Sequence, residues 1–134
     1  MIGVLIVSHG DIGTSLLTSA SQILGEPPSQ VATLSVWRAD DVDDLVLRAR
    51  ELMESLDSGD GVLVLTDIFG ATPGNVVSRL LEDGRIEGVS GVSLPMLLRV
   101  LTGRNGSLSA AVQRALSGGA EGVVHMNTDR CLDA

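Results

Sequence analysis

The sequence is nearly devoid of aromatic side chains, with one tryptophan, one phenylalanine and no tyrosine in 134 residues. Its core must therefore be built from Val, Leu, Ile, Ala and Met. Cysteine is almost as scarce. Cys131 is the only one and sits in a polar tail, which excludes an internal disulfide and a cysteine zinc cluster. The nine basic residues are scattered, so the basic stripe of a nucleic-acid-binding surface is missing. No apolar run approaches the roughly 18 residues of a membrane span. The chain opens directly on a strand-like segment, Ile2 to Val7, without the basic n-region of a signal peptide. The expectation is a soluble, cytoplasmic protein with no nucleic-acid partner and no membrane insertion.

What is present fits one domain. The hydrophobic fraction of 44% is that of an ordinary globular chain, which argues against disorder. The formal net charge of −8 is read first as a solvation device, and second as a field able to steer a basic partner.

Short β-rich runs alternate with longer amphipathic segments. Ile2–Val7 reads as a strand covered on both faces. Ile12, Leu16, Ala20 and Leu24 recur every four positions and predict a helix over 12–24, stopped by Gly25 and Pro27-Pro28. A second strand is expected over 31–36 and a helix over 42–56. A third strand follows over 62–65. A helix is then expected from Thr72-Pro73, read as an N-cap followed by proline at the first helical position, to about Glu82. A fourth strand over 86–92, a helix from Ser93-Leu94-Pro95 to Thr102, and a last helix from Ser107 to Leu116 complete the pattern. Val123-Val124-His125 is expected to form a short final strand. The implied fold class is α/β: a doubly wound, mainly parallel sheet with helices on both faces.

Open sheets of this kind bind ligands at the carboxyl ends of the strands, beside the point where strand order reverses. Ser8-His9-Gly10 directly follows the first strand and Thr66-Asp67 the third, and these two strands are neighbours in the common doubly wound order. A carboxylate accepting the Nδ1–H of an imidazole fixes the tautomer and leaves Nε2 as a nucleophile. It also stabilises positive charge developing on the ring. Free histidine titrates near pH ~6.5, so both forms are accessible. After Asp67, the loop Ile68-Phe69-Gly70-Ala71-Thr72-Pro73-Gly74-Asn75 runs into a helix start, whose unpaired N–H groups suit a phosphate. Gly70 and Ala71 permit close approach to the backbone, and the Thr72 hydroxyl is placed either to cap the helix or to touch the anion. The acidic run Asp40-Asp41-Val42-Asp43-Asp44 falls at a helix start and is read as capping and solvation rather than metal binding. No metal ligand set and no bound cofactor are expected. His125 and the Met53, Met96 and Met126 positions are read as structural.

Three stretches, Gly3–Gly10, Leu65–Asn75 and Gly91–Leu97, together resemble the mannose-type enzyme IIA family of the bacterial phosphoenolpyruvate-dependent sugar phosphotransferase system. The resemblance covers about residues 1–125 and sets 126–134 apart as a polar tail. It implies a phosphocarrier that is phosphorylated on His9 Nε2 by the carrier protein HPr. Asp67 is then the partner of the histidine, Thr72 lies at the phosphate with Gly70 and Ala71, and Phe69 stands on the partner-facing rim. Onward transfer goes to a IIB-type acceptor, or the phosphorylation state itself is a regulatory signal. The resemblance also implies a homodimer in which a C-terminal strand crosses to the other subunit. Family members often carry glycine at Ala71, serine at Thr72, a bulky residue at Gly74 and asparagine at Ser93; the hydroxyl of Thr72 preserves the phosphate contact.

Two other readings stand beside this one. The phosphocarrier subunit of dihydroxyacetone kinase shares the fold and a phosphohistidine after the first strand. A small tetrapyrrole metal chelatase also carries a His-Gly pair there, but wants a second convergent histidine, for which His125 is a poor candidate.

Overall fold

The continuous apolar run at the N-terminus is the central strand of a sheet, as its lack of a polar face requires. In the computed structural model, which describes residues 1–128, β1 (Gly3–His9) is buried from Gly3 to Ser8 and emerges only at His9. It lies between β2 (Val31–Val36) and β3 (Val62–Thr66), and β4 (Ile86–Ser90) closes the order β2-β1-β3-β4. All three pairings are parallel. Among the described residues, five helices connect and cover the strands: α1 (Ile12–Leu24), α2 (Val42–Leu56), α3 (Thr72–Ser78), α4 (Leu94–Leu101) and α5 (Leu108–Glu121).

Strand alternation splits the core into two aliphatic layers. Leu5 and Val7 face α2 and α3, where they join Leu45, Met53 and Val76. Val4 and Ile6 face α1, α4 and α5, where they join Ala20, Met96 and Ala111. No aromatic residue occurs among the buried hydrophobic residues. Met53 and Met96 are thus packing residues, as expected. Among the described residues no helix is long and apolar enough to cross a membrane.

Four expectations are corrected. The helix after Thr72 ends at Ser78, not Glu82. There Arg79 and Leu80 donate to the carbonyls three residues back, tightening the turn and carrying Leu80 into the core. The fourth strand stops at Ser90 because Gly91 turns left-handed (φ +81) and Val92 N–H donates back to Thr66 O at 3.0 Å. The last helix runs to Glu121, through Gly118-Gly119. These glycines do not end it. They admit α4, since a Cβ on Gly118 would lie 3.2 Å from Met96 Cα and one on Gly119 2.9 Å from Met96 Cε. Residues 123–125 form no strand in the single chain; Val123 is 84% exposed and the segment is not part of the four-stranded sheet. Cys131 and most of the expected tail, 129–134, lie outside the described residues.

Candidate functional site

Strand order brings the two candidate residues together. The β1–β3 register sets Val7 against Thr66, so His9 and Asp67 leave the sheet side by side at its carboxyl edge. Asp67 Oδ2 accepts from His9 Nδ1 at 2.8 Å and from the His9 backbone N–H at 3.1 Å. The other carboxylate oxygen accepts from Ile68 N–H at 3.0 Å. Both oxygens are therefore engaged, and the Asp67 side chain is only 11% exposed, against 48% for His9.

Burial pushes the Asp67 carboxyl up, but the hydrogen bonds from the His9 ring and backbone and the attraction of the imidazole together hold it below the ordinary carboxylate range. An ionised carboxylate can only accept, so the hydrogen of the 2.8 Å bond resides on Nδ1. In the neutral ring, Nε2 then carries the lone pair.

The turn after His9 is built from residues with no obvious chemistry. Gly10 adopts φ +47, and its N–H continues the ladder to Val36 O at 3.0 Å. Ser8 is buried, and its Oγ accepts the Gly13 N–H at 2.8 Å, satisfying a first-turn donor of α1 that Asp11 leaves uncapped. Trp37, immediately after β2, lays its six-membered ring over Gly10; a Cβ there would meet Trp37 Cζ3 at 3.2 Å. Sequence reasoning missed both Ser8 and Trp37. The signal for Trp37 was available, because the sole tryptophan falls at the carboxyl end of the strand beside β1.

The loop from Asp67 to α3 departs from expectation in one detail. Ala71, not Thr72, is the N-cap, so Thr72 is the first helical residue and Pro73 the second. No side chain caps this helix, and Thr72 is exposed with its hydroxyl uncommitted to capping. Gly70 is exposed at φ +87, where a side chain is strained but nothing lies close; Ala71 is half-buried. Phe69 is 83% exposed. The run after β2 caps α2, with Asp41 accepting from Asp43 N–H, and Asp43 pairs with Arg79 at 2.8 Å. His125 lies beyond α5, exposed, with Nδ1 2.8 Å from Thr128 Oγ1, and takes no part in the sheet edge around His9.

The chain is similar to known proteins along most of its length. The model of the EIIA-man family, described as PTS system fructose IIA component, matches residues 3–116. The fructose-specific EIIA component of the PTS of Bacillus subtilis (strain 168) is 34% identical over 103 residues, which are 76% of this chain and 70% of that protein. The mannose-specific EIIAB component of Escherichia coli (strain K12) is 32% identical over 125 residues, covering 91% of this chain but 38% of the longer relative. The crystal structure of the phosphotransferase system component EIIA from Streptococcus agalactiae superposes with a TM-score of 0.85 at 28% identity, covering 96% of this chain and 99% of that one. The matched span includes the His9–Asp67 pair and the loop into α3, and on these grounds the chain belongs to the mannose-type enzyme IIA family of sugar phosphotransferase components.

Proposed function

We propose that the chain is a phosphohistidine carrier that accepts a phosphoryl group from phospho-HPr on His9 Nε2 and passes it to a IIB-type acceptor, or signals through its phosphorylation state. The observation that carries this reading is the Nδ1–Asp67 hydrogen bond, which leaves the lone pair on Nε2 of a half-exposed ring.

In the forward step the Nε2 lone pair attacks phosphorus. The bond from phosphorus to the donor breaks, and its electron pair leaves with the donor. The ring becomes positively charged while Nδ1–H stays bonded to Asp67, whose negative charge offsets it. The second transfer reverses this: the P–Nε2 bond breaks, and the ring recovers its lone pair. Such transfers rest on positioning and charge stabilisation, for which a rigid strand end suffices. The backbone around Gly70, Ala71 and Thr72 and the exposed Thr72 side chain are assigned to the phosphoryl oxygens, and Phe69 to the rim that meets partners. No cofactor is required.

On this reading residues 1–125 are the carrier domain, 126–134 a tail, and the protein works in the cytoplasm as a homodimer. Support for the dimer comes from β4, an edge strand flanked by a groove of about 360 Å³ lined by Thr66, Phe69, Val77, Leu81, Val89 and Leu116, among others. The apolar Val123-Val124 pair, exposed in its own chain, is the segment that would cross to it.

Incubation with phosphoenolpyruvate, enzyme I and HPr tests the central claim. An acid-labile, base-stable phosphate is expected on the wild type and not on His9→Ala. Equal labelling of the two would overturn it.

A further inference from the structure

Both aromatic residues of this sequence stand outside the core and at the same edge. Trp37 is 54% exposed and Phe69 83%. Trp37 follows β2 directly, and Phe69 lies two residues beyond Asp67, so the order β2-β1-β3 sets them on opposite sides of His9. Trp37 is held in place. Its backbone N–H donates to Asp40 Oδ2 at 2.8 Å, and its backbone carbonyl accepts from Asp40 N–H at 3.0 Å. One part of the indole rests on Gly10; the rest faces water. Packing over a glycine does not need a ring system of this size, and a fixed apolar surface left half exposed beside a reactive group is the kind that partners bury.

The charge around this indole defines the partner. Asp40, Asp41, Asp43 and Asp44 follow it, and Asp11 follows Gly10, against Arg38 and an Arg79 already paired with Asp43. An incoming phosphoryl group is an anion approaching an acidic rim, which disfavours a small phosphoryl donor. A donor whose own surface is basic arrives with the opposite bias. A second copy of this chain carries the same acidic rim and is repelled by it.

We propose that Trp37 is the docking anchor for the phosphoryl-donor protein, whose matching face is an apolar patch ringed by basic side chains set against Asp40–Asp44. This rests on the phosphocarrier reading and names the surface that selects the donor.

The test follows phosphoryl transfer to the full-length chain over a range of phospho-HPr concentrations, with phosphoramidate as a small donor in parallel. Trp37→Ala is expected to raise KM for phospho-HPr about 10- to 30-fold, the loss of an interfacial anchor, with kcat held within about twofold. Trp37→Phe should recover most of the loss. The wild-type KM should rise with salt, and Asp44→Asn should flatten that dependence. An unchanged KM in Trp37→Ala overturns the proposal. So does loss of phosphoramidate labelling in that variant, which would assign the indole to holding the histidine turn. Altered sedimentation of Trp37→Ala would instead make a second copy the occupant, and also overturns it. Wild type labelled by phosphoramidate but not by phospho-HPr removes the donor assignment and leaves His9 reactive. Wild type labelled by neither removes the carrier reading itself, and the anchor with it.

Discussion

His9 and Asp67 stand 58 positions apart in the chain, yet one oxygen of Asp67 receives both the ring Nδ1–H and the backbone N–H of His9. The carboxylate thus fixes the ring and the strand end that carries it. Asn at position 67 keeps the shape but offers a neutral amide, which neither offsets charge on the ring nor selects one tautomer. Asp67→Asn should slow transfer from phospho-HPr about 100-fold, within the range for misassigned proton positions at catalytic histidines. Rapid-quench kinetics would measure this, with a urea midpoint to confirm the fold. An unchanged rate removes Asp67 from the mechanism.

That pair was legible in the sequence because each member ends an apolar run, and parallel strands put run-ends on one edge. The alternation of runs likewise revealed the fold class. Features that depend on what a residue touches were not legible. Gly118-Gly119 has the composition of a stop, but these glycines serve the approach of α4, which only the packed structure reveals. Leu80 leaves the helical pattern because the core, not local propensity, claims it. Ser8 acts through Gly13, a contact for which periodicity carries no signal, whereas the position of Trp37 was legible and only its contact with Gly10 was not.

Acid should destabilise the protein through two carboxylates. Asp57 is held below the ordinary range chiefly by the Gly59 N–H, opposed by burial and helped by the Gly61 N–H and Arg85. Asp67 is lowered as described above. A group depressed in the folded state contributes its full stabilisation above its unfolded value, about 3.9 for aspartate, and loses it as pH falls through the folded value. Thermal midpoints should therefore be flat in this respect above pH ~5 and decline below pH ~4. Asp57→Asn should lower the neutral-pH midpoint and make the acid decline shallower. An identical slope in the variant would dismiss Asp57 as a contributor.

Arg104 is buried at the opposite end of the sheet from His9. Its Nη1 donates to Ser29 O at 2.8 Å, and at longer range to Ile2 O and Gln30 O, while Nε has no partner among the described residues. Burial lowers its pKa, and among the described residues no carboxylate pairs with it; backbone carbonyls at the starts of β1 and β2 take that role. Arg104→Met preserves the bulk and abandons those carbonyls. A loss of about 1.5–3 kcal/mol is expected, the usual worth of hydrogen bonds to a charged group. Urea denaturation would read this, and kcat for transfer should stay within about twofold because the site lies about 20 Å away along β1. A stability change below 0.5 kcal/mol, roughly the scatter of surface substitutions, would show that water serves those carbonyls equally well.

The edge of β4 gives the last prediction. β4 is an outer strand beside an apolar groove, and the unpaired backbone groups of such a strand invite another strand. Leu81 and Leu116 are about half exposed along that groove, and the Val123-Val124 segment is exposed on the same chain with nothing of its own to cover. Each copy thus offers both a cleft and a plug, the condition for a closed two-fold exchange. The full-length chain should sediment as a dimer at micromolar concentration. Leu116→Glu, which places a charge in the groove without disturbing a buried core position, should sediment as a monomer that keeps its helical circular dichroism. Val124→Asp should weaken the dimer from the other side of the same contact. A wild type that remains monomeric at ~100 μM, a concentration favouring any contact with a dissociation free energy near 6 kcal/mol, would refute the exchange. A dimer that survives Leu116→Glu and Val124→Asp together would place the interface elsewhere.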